Sequence, residues 1–410
     1  MSWAHTVRVS KITQAPDAVA RRARVATSVG FFVQAAILVT ILSRLPDFQD
    51  DRGVTEGDIT LLLLLTSVIA GGGSLLAERI AVRRSSTLAL RLALVVICVM
   101  VVVIGLVESK PAMYAAFALY GIGVGATDAS TNMQGVTVQR LYGRSIMTSF
   151  HGMWSIGAIA GALYAAGCAK LDIGLMPSLV AVGVVCMAAA LVTGPYLVRP
   201  TVEHEASDVS EVERPPLHVP WRPLVALGLV VVVFYLADTS VMSWSTLYLH
   251  DVLDAAKSVA PLGYAAYQVG AVVSRLVGDR FVVRYGAVAV VRTGTVIGVV
   301  ALALVVVAPS PALAIAAFGL MGLGLPVVIP LAFAAAGNLP GSDADVAIAR
   351  LNLFNYLGNI IGAGLIGALA TEGALRWIYV VPLVLVPLIV LVARAFAPDR
   401  EIAAAVRTRP

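Results

Sequence analysis

Charged residues are scarce in this sequence. Only 13% of its 410 residues are Asp, Glu, Lys or Arg, and 59% are hydrophobic. A soluble domain carries roughly twice that share of charge. The mean hydropathy is +0.90, and apolar runs of about 20 residues, long enough to cross a bilayer, recur along the chain. The composition therefore excludes a soluble domain and predicts an all-α polytopic membrane protein.

Cysteine and histidine are also rare. Cys98, Cys168 and Cys186 lie in apolar runs and do not have metal-ligand spacing, so we expect free thiols. Of the five histidines, only His151 falls in an apolar run, and neither a metal-ligand cluster nor a nucleophile–base pair accompanies it. We therefore predict a protein that is not an enzyme and that has no metal and no cofactor.

The basic residues are spread over short turns between apolar runs, which argues against nucleic acid as a partner in spite of the net charge of +5. No cleavable signal peptide is visible at the N-terminus. Placing both termini in the cytosol leaves only six basic residues outside and assigns the others to cytosolic turns or tails. The six are Arg44, Arg52, Lys110, Lys170, Lys257 and Arg376. This predicts a multi-pass protein of the plasma membrane, the inner membrane of a bacterium, with both termini cytosolic.

Twelve membrane spans can be placed, six in each half. They are 24–45, 58–79, 86–107, 112–135, 145–167, 174–198, 223–249, 258–279, 287–308, 311–334, 346–370 and 374–397. An acidic, proline-containing stretch separates the sixth span from the seventh. We predict an N-terminal six-helix bundle at 1–198, a cytosolic linker at 199–222 and a C-terminal six-helix bundle at 223–410.

The two halves repeat one another at an offset of 201 residues. Glu78-Arg79 matches Asp279-Arg280, Gly121 and Gly123 match Gly322 and Gly324, and Gly157 and Gly161 match Gly358 and Gly362. This places Asn352 opposite His151. Matches at one offset predict two pseudo-symmetric bundles related by a two-fold axis along the membrane normal.

A loop motif with a carboxylate followed by arginines joins the second and third spans and recurs in the second half. It reads Ser74, Glu78, Arg79, Arg83 and Arg84 in the first copy, and Asp279, Arg280, Arg284 and Gly286 in the second. The motif resembles that of the major facilitator superfamily, which implies alternating access between two bundles. Glu78, Arg79, Arg83, Asp279, Arg280 and Arg284 are then candidates for a gating latch that holds helices together in one state. The alternative for Arg83 and Arg84 is a plain positive-inside anchor.

Within the superfamily, the chain is similar to the branch of the bacterial fucose–proton symporter. The residues that carry this are Leu45-Pro46-Asp47-Phe48, Asp128-Ala-Ser-Thr-Asn132, and Phe150-His151 with Gly157-Ala158. That branch has a second essential acid late in its first span, where this chain has none. Either Asp238 takes the place of that acid, or the proton route differs. The sugar specificity of the branch therefore does not carry over to this chain.

Asp128 and Asp238 are the acids that we place well inside the hydrocarbon core. A carboxylate there costs about 2.5–3.5 kcal/mol on insertion scales, so each is a candidate for proton coupling. His151 is a third candidate, because imidazole titrates near neutrality. The alternative for each of the three is a structural polar residue that pairs with a neighbouring helix.

Candidates for solute contact lie on four spans. Asn132 is one turn beyond Asp128, where a supporting hydrogen bond is expected. Asn352, Asn355 and Asn359 form one polar stripe that faces either the cavity or another helix. Gln34, Tyr235 and Trp244 complete the set. They predict a small polar or amphipathic solute bound near mid-depth, by a monomer surrounded by lipid.

The combined prediction is a secondary transporter that moves a small solute with protons by alternating access. The alternative is a drug or metabolite efflux antiporter of the same fold. Such antiporters usually carry a Gly-Pro pair in the fifth span, and this chain has glycines there without proline. A receptor or a channel is disfavoured by the two-fold repeat with an unpaired acid in each half.

Overall fold

Twelve long helical segments make up the described part of the chain, which is a computed structural model covering residues 18–198, 220–256, 259–339, 343–369 and 375–397. The first half contains α1 (Ala18–Ser43), α2 (Glu56–Arg83), α3 (Ser86–Leu106), α4 (Lys110–Tyr142), α5 (Met147–Lys170) and α6 (Leu175–Tyr196). The second half contains α7 (Trp221–Val252), α8 (Leu262–Tyr285), α9 (Ala287–Val307), α10 (Pro311–Ala336), α11 (Ala344–Leu369) and α12 (Trp377–Phe396). The prediction of an all-α fold with twelve membrane helices is confirmed. Most of the predicted linker, 199–219, lies outside the described residues.

Local signals in the sequence fix several helix ends. The Thr55 side chain accepts from the Asp58 amide and Asp58 accepts from the Thr55 amide, which forms a capping box at the start of α2. Ser85 caps α3 through the Leu88 amide. Gly143 ends α4 in the left-handed conformation, with φ 61°. The predicted Leu45-Pro46-Asp47-Phe48 signal forms the start of a separate short helix, Leu45–Arg52.

The helix packing follows the internal repeat. In the first half α1 packs on α5, α2 on α4, and α3 on α4; in the second half α7 packs on α11, α8 on α10, and α9 on α10. The contacts between the halves obey the same symmetry, because α2 packs on α11 and α8 packs on α5. The predicted pair of pseudo-symmetric six-helix bundles is confirmed.

Glycine explains how the corresponding pairs come so close. A Cβ on Gly157 would lie 2.4 Å from the Phe32 carbonyl oxygen of α1, and one on Gly161 would lie 2.5 Å from that of Ala36. In the second half, a Cβ on Gly358 would lie 3.0 Å from the Cα of Val232 in α7. The glycine pairs therefore allow backbone-to-backbone packing at equivalent places in the two halves.

Successive helices run in opposite directions, so alternate turns lie at the same end of the molecule. One end holds the start of α1 and the turns α2–α3, α4–α5, α8–α9 and α10–α11. We call this end the basic face, since it holds the arginines of both loop motifs. Several polar contacts join the halves here. The Arg140 guanidinium donates to the Gly337 carbonyl, Ser74 Oγ donates to the Ala349 carbonyl (3.0 Å), and Ser145 Oγ donates to Asp279 (2.8 Å). These contacts hold the two halves together at the basic face.

Candidate transport site between the two halves

Asp128 lies on α4 where the two halves meet. The Gln34 side-chain amide of α1 donates a hydrogen bond to one carboxylate oxygen. The Tyr356 hydroxyl of α11 donates to the other oxygen. Asp128 is half-buried, and its two partners belong to different halves. A change in the charge of this carboxylate therefore acts directly on a contact between the bundles.

Asn132 does not support the Asp128 carboxylate in the expected way. Its amide nitrogen donates to the Asp128 backbone carbonyl (2.8 Å), because the two residues are one helical turn apart. Its amide oxygen lies 3.2 Å from Nε2 of His151 on α5. Asn132 therefore connects α4 to His151 and leaves the carboxylate to Gln34 and Tyr356.

The His151 ring is held between aromatic side chains from both halves. Its centroid lies 5.2 Å from that of Phe31 on α1 and 6.1 Å from that of Phe333 on α10, the latter in a stacked arrangement. These contacts and the hydrogen bond to Asn132 fix the ring position. His151 therefore takes part in aromatic packing across the interface between the halves.

Arg275 is a membrane-embedded cation that the sequence analysis missed. It was counted with the basic residues of the cytosolic side, but it lies roughly 20 Å along α8 from Leu262, near the middle of the helix. Its Nη1 donates to Ser155 Oγ on α5 at 2.7 Å. The guanidinium also interacts electrostatically with His151 and Asp238.

Asp238 lies on α7, next to α8. The Tyr267 hydroxyl of α8 donates a hydrogen bond to its carboxylate. Asp238 also feels the positive charge of Arg275, although no carboxylate of the described residues lies within 4.0 Å of that guanidinium. Arg275 is thus hydrogen-bonded to Ser155, and His151 to Asn132, while Arg275 lies within electrostatic range of both Asp238 and His151.

The asparagine stripe on α11 turns partly towards α2. Asn355 donates to the Asn352 amide oxygen at 2.7 Å, and Asn352 donates to Ser74 Oγ at 3.4 Å. Asn352 is fully buried and Asn359 is half-buried. Asn352 therefore lies in a hydrogen-bonded contact between α11 and α2.

Tyr235 and Trp244, both on α7, have different surroundings. Tyr235 is half-buried and within electrostatic range of Asp128 and Asp238. Trp244 packs against the apolar pair Leu236 and Ile378. Tyr235 therefore belongs near the acidic groups, and Trp244 belongs to an apolar cluster.

Asp279 of the second loop motif contacts the other half at the start of α5. Its carboxylate accepts hydrogen bonds from the backbone amides of Thr148 (3.2 Å) and Ser149 (2.9 Å), in addition to that from Ser145. These are among the first amides of α5, which have no partner within their own helix. A carboxylate is also favoured there by the helix dipole. Asp279 thus caps a helix of the opposite half.

Glu78 of the first loop motif occupies the equivalent place but has a different partner. It forms an ion pair with Arg350 of α11, with 3.3 Å between Glu78 Oε1 and Arg350 Nη2. Arg79, Arg83, Arg280 and Arg284 are exposed, and Arg284 lies over the ring of its neighbour Tyr285. The two carboxylates of the predicted latch therefore join the halves, whereas the contacts found for its arginines do not.

Two residues of the candidate site, Arg275 and Tyr356, were not predicted from the sequence, and only Arg275 had a signal there. Nine of the twelve helices are long and apolar enough to cross a membrane by composition, among the residues described; α4, α8 and α11 do not meet that criterion. These three carry Asp128, Arg275 and Tyr356. Polar interruptions in the second-half helices were therefore the available sign of Arg275, whereas Tyr356 resembles an ordinary packing residue.

Comparison with known proteins identifies the class. The model of the Major Facilitator Superfamily matches residues 8–162 and 227–408. The chain is 31% identical over 355 residues to the uncharacterized transporter y4wD of Sinorhizobium fredii, covering 85% of this chain and 91% of the relative. It is 27% identical over 358 residues to the uncharacterized MFS-type transporter YPO1221/y2967 of Yersinia pestis, covering 86% and 90%. The chain belongs to the Major Facilitator Superfamily.

Solved structures agree on the fold. A crystal structure of FucP in the outward conformation gives a TM-score of 0.70 at 13% identity, covering 92% of this chain and 98% of that one. A variant of FucP described as the E. coli fucose:proton symporter gives the same TM-score at 14% identity, with the same coverage. The predicted similarity of fold to that symporter is confirmed. The chain is a multi-pass membrane protein and a secondary transporter of a small solute, and the prediction that it is a transporter and not an enzyme is confirmed by its relatives.

Proposed function

We propose that this transporter couples the movement of a small solute to the movement of protons, with Asp128 as the coupling group. The observation that carries the proposal is that Asp128 of the first half accepts a hydrogen bond from Tyr356 of the second half. Neutralising this carboxylate lowers the cost of keeping it in an apolar surrounding while the bundles move. Its ionised form favours the state in which Gln34 and Tyr356 both donate to it.

The solute site of the proposal lies near mid-depth between the halves. Buried acceptor oxygens of Gln34 and Asn355 have no hydrogen-bond partner among the described residues, and a buried acceptor without a partner costs about 1–3 kcal/mol. Solute hydroxyl or amide groups satisfy such acceptors. Asn359, Tyr235 and Asn132 are the neighbouring candidates, and in this proposal Asn352 has a structural role.

The gating part of the proposal is that Asp279 and Glu78 hold the basic face closed. Both residues lie at the side that we propose to be cytosolic. In this proposal the protein is a monomer in the plasma membrane, with both termini in the cytosol. The bundles 1–198 and 223–410 are the moving units in this proposal, and 199–222 is the cytosolic linker. The state seen here then corresponds to one that is closed to the cytosol.

Proton flux tests the proposal. The full-length protein is reconstituted into liposomes that contain a pH-sensitive dye, and candidate sugars, sugar acids, small carboxylates and antibiotics are added outside. A symporter carries protons inward with the solute and acidifies the lumen. The alternative, an efflux antiporter, exchanges solute for protons in the opposite direction and makes the lumen alkaline. Solute uptake without any change in dye signal would contradict proton coupling.

A further inference from the structure

Arg275 places a positive charge between the two halves without a matching ion pair. Its Nη1 donates to the neutral Ser155 hydroxyl, and its buried Nε has no hydrogen-bond partner among the residues that the structure describes. The three ion pairs found in those residues do not include it. A guanidinium at membrane depth costs several kcal/mol unless an anion or a set of acceptors surrounds it. Nε of this guanidinium is thus a buried donor without an acceptor among the described residues, which an anion would satisfy.

The groups around Arg275 suit a ligand with a carboxylate. A guanidinium binds a carboxylate through two parallel hydrogen bonds, which an alcohol or an amide cannot reproduce. Tyr264 and Tyr267 of the same helix lie within electrostatic range, and Tyr235 of α7 does as well. Phenolic hydroxyls and aromatic faces provide neutral contacts for the remainder of a small solute.

The charges also give a reason for coupling. With both acids ionised, Asp128, Asp238 and Arg275 together carry one excess negative charge. An anion bound at Arg275 competes with Asp238 for the same cation and adds a second excess negative charge. Proton uptake by the carboxyl groups restores the balance before the site is moved through the membrane, because each uncompensated charge there is costly. Solute and proton are then carried together.

We propose that Arg275 binds a carboxylate group of the transported solute, and that the solute is a small organic anion. The inference rests on the proposed transport function and deepens it by naming the class of substrate. Ser155 orients the guanidinium from the opposite half, so the anion is held where the bundles meet. Asp238 is the acid that responds to its arrival.

The test uses matched acids and amides as probes. Full-length protein in lipid nanodiscs is heated in the presence of glucuronate or glucuronamide, lactate or lactamide, and benzoate or benzamide. We expect at least one acid to raise the unfolding temperature in a concentration-dependent way, and its amide to have no effect. In Arg275→Gln, binding of that acid should weaken by roughly 10- to 100-fold, the range expected for hydrogen bonds to a charged group.

Control variants separate binding from folding. Arg292→Gln removes an exposed arginine of α9 and should leave the preference for the acid unchanged. Arg275→Gln combined with Asp238→Asn removes one charge of each sign, so it preserves electrical balance if the single variant does not fold. Loss of acid binding in the double variant, with a folded protein, supports the inference.

Three results would overturn it. They are the absence of stabilisation by any of the acids, equal stabilisation by an acid and its amide, and acid binding that survives replacement of Arg275. The result that would overturn proton-coupled transport is different from the results that would overturn the carboxylate site. A neutral solute that accumulates in response to a pH gradient overturns the carboxylate site alone, whereas a carboxylate that binds at Arg275 and is transported without protons overturns proton coupling alone.

Discussion

Replacing Asp279 with alanine should open the basic face. Its carboxylate accepts three hydrogen bonds from the opposite half, at 2.8 to 3.2 Å, and two of the donors are amides at the start of α5. Hydrogen bonds to a charged group contribute about 1.5–3 kcal/mol each, but those sharing one acceptor are not additive. We therefore expect the closed state to lose about 2–4 kcal/mol, which is roughly 30- to 700-fold in the equilibrium between closed and open.

A cysteine at position 74 reports this opening. Ser74 is fully buried between α2 and α11, so Ser74→Cys becomes reactive towards a water-soluble maleimide only when the halves separate. The native cysteines stay out of the measurement because each is at most 5% exposed. In this background, Asp279→Ala should raise the labelling rate by the factor given above, and Asp279→Asn, which keeps an acceptor oxygen, by less.

Asp50→Ala is the matched control, since it removes an exposed carboxylate of the short helix Leu45–Arg52, at the opposite end of the molecule. Its labelling rate should equal that of the parent. An unchanged rate in Asp279→Ala would refute the reasoning, because it would mean that the cap on α5 contributes nothing to closure. An equal rise in both variants would refute it too, since the effect would then be a general loss of stability.

Two further predictions concern packing and coupling. Gly125→Ala should lower the free energy of unfolding by about 1–3 kcal/mol or more, because the new Cβ would lie 1.7 Å from the Ala70 carbonyl oxygen. Gly72→Ala should be close to neutral, because no atom lies within 4 Å of its new Cβ. Thermal unfolding of the two purified variants compares them, and equal unfolding midpoints would contradict this prediction. Tyr356→Phe removes the hydroxyl of the second half that donates to the Asp128 carboxylate, so it should shift the pH dependence of transport at unchanged expression. An unaltered pH profile would show that this contact does not couple the carboxylate to the second half.

The sequence was sufficient to predict the spans, the repeat and the central acid. Apolar runs must match the thickness of the bilayer, which predicts most of the twelve helices, although α4, α8 and α11, among the described residues, are less apolar than the other nine. Gly157 and Gly358 recur because the same close backbone approach recurs in both halves. Asp128 was visible because a carboxylate in an apolar run is rare and costly.

The partners of these residues could not be predicted in the same way. Tyr356 is 228 residues from Asp128 in the chain, and Ser155 is 120 residues from Arg275. Such contacts depend on how the two bundles dock, which no local pattern encodes. The loop motif had the same limit: it identified Asp279, but the acceptor role of that carboxylate depends on where α5 of the other half begins.

Transport by Asp128→Asn tests the central claim most directly. The variant keeps the size of the side chain and imitates the neutral carboxyl group. In liposomes with an imposed pH gradient, the wild type should accumulate solute, whereas the variant should bind the solute and exchange it across the membrane without accumulation. If Asp128→Asn still accumulates solute in response to the gradient, Asp128 is a structural residue, the claim is wrong, and Asp238 becomes the candidate for proton coupling.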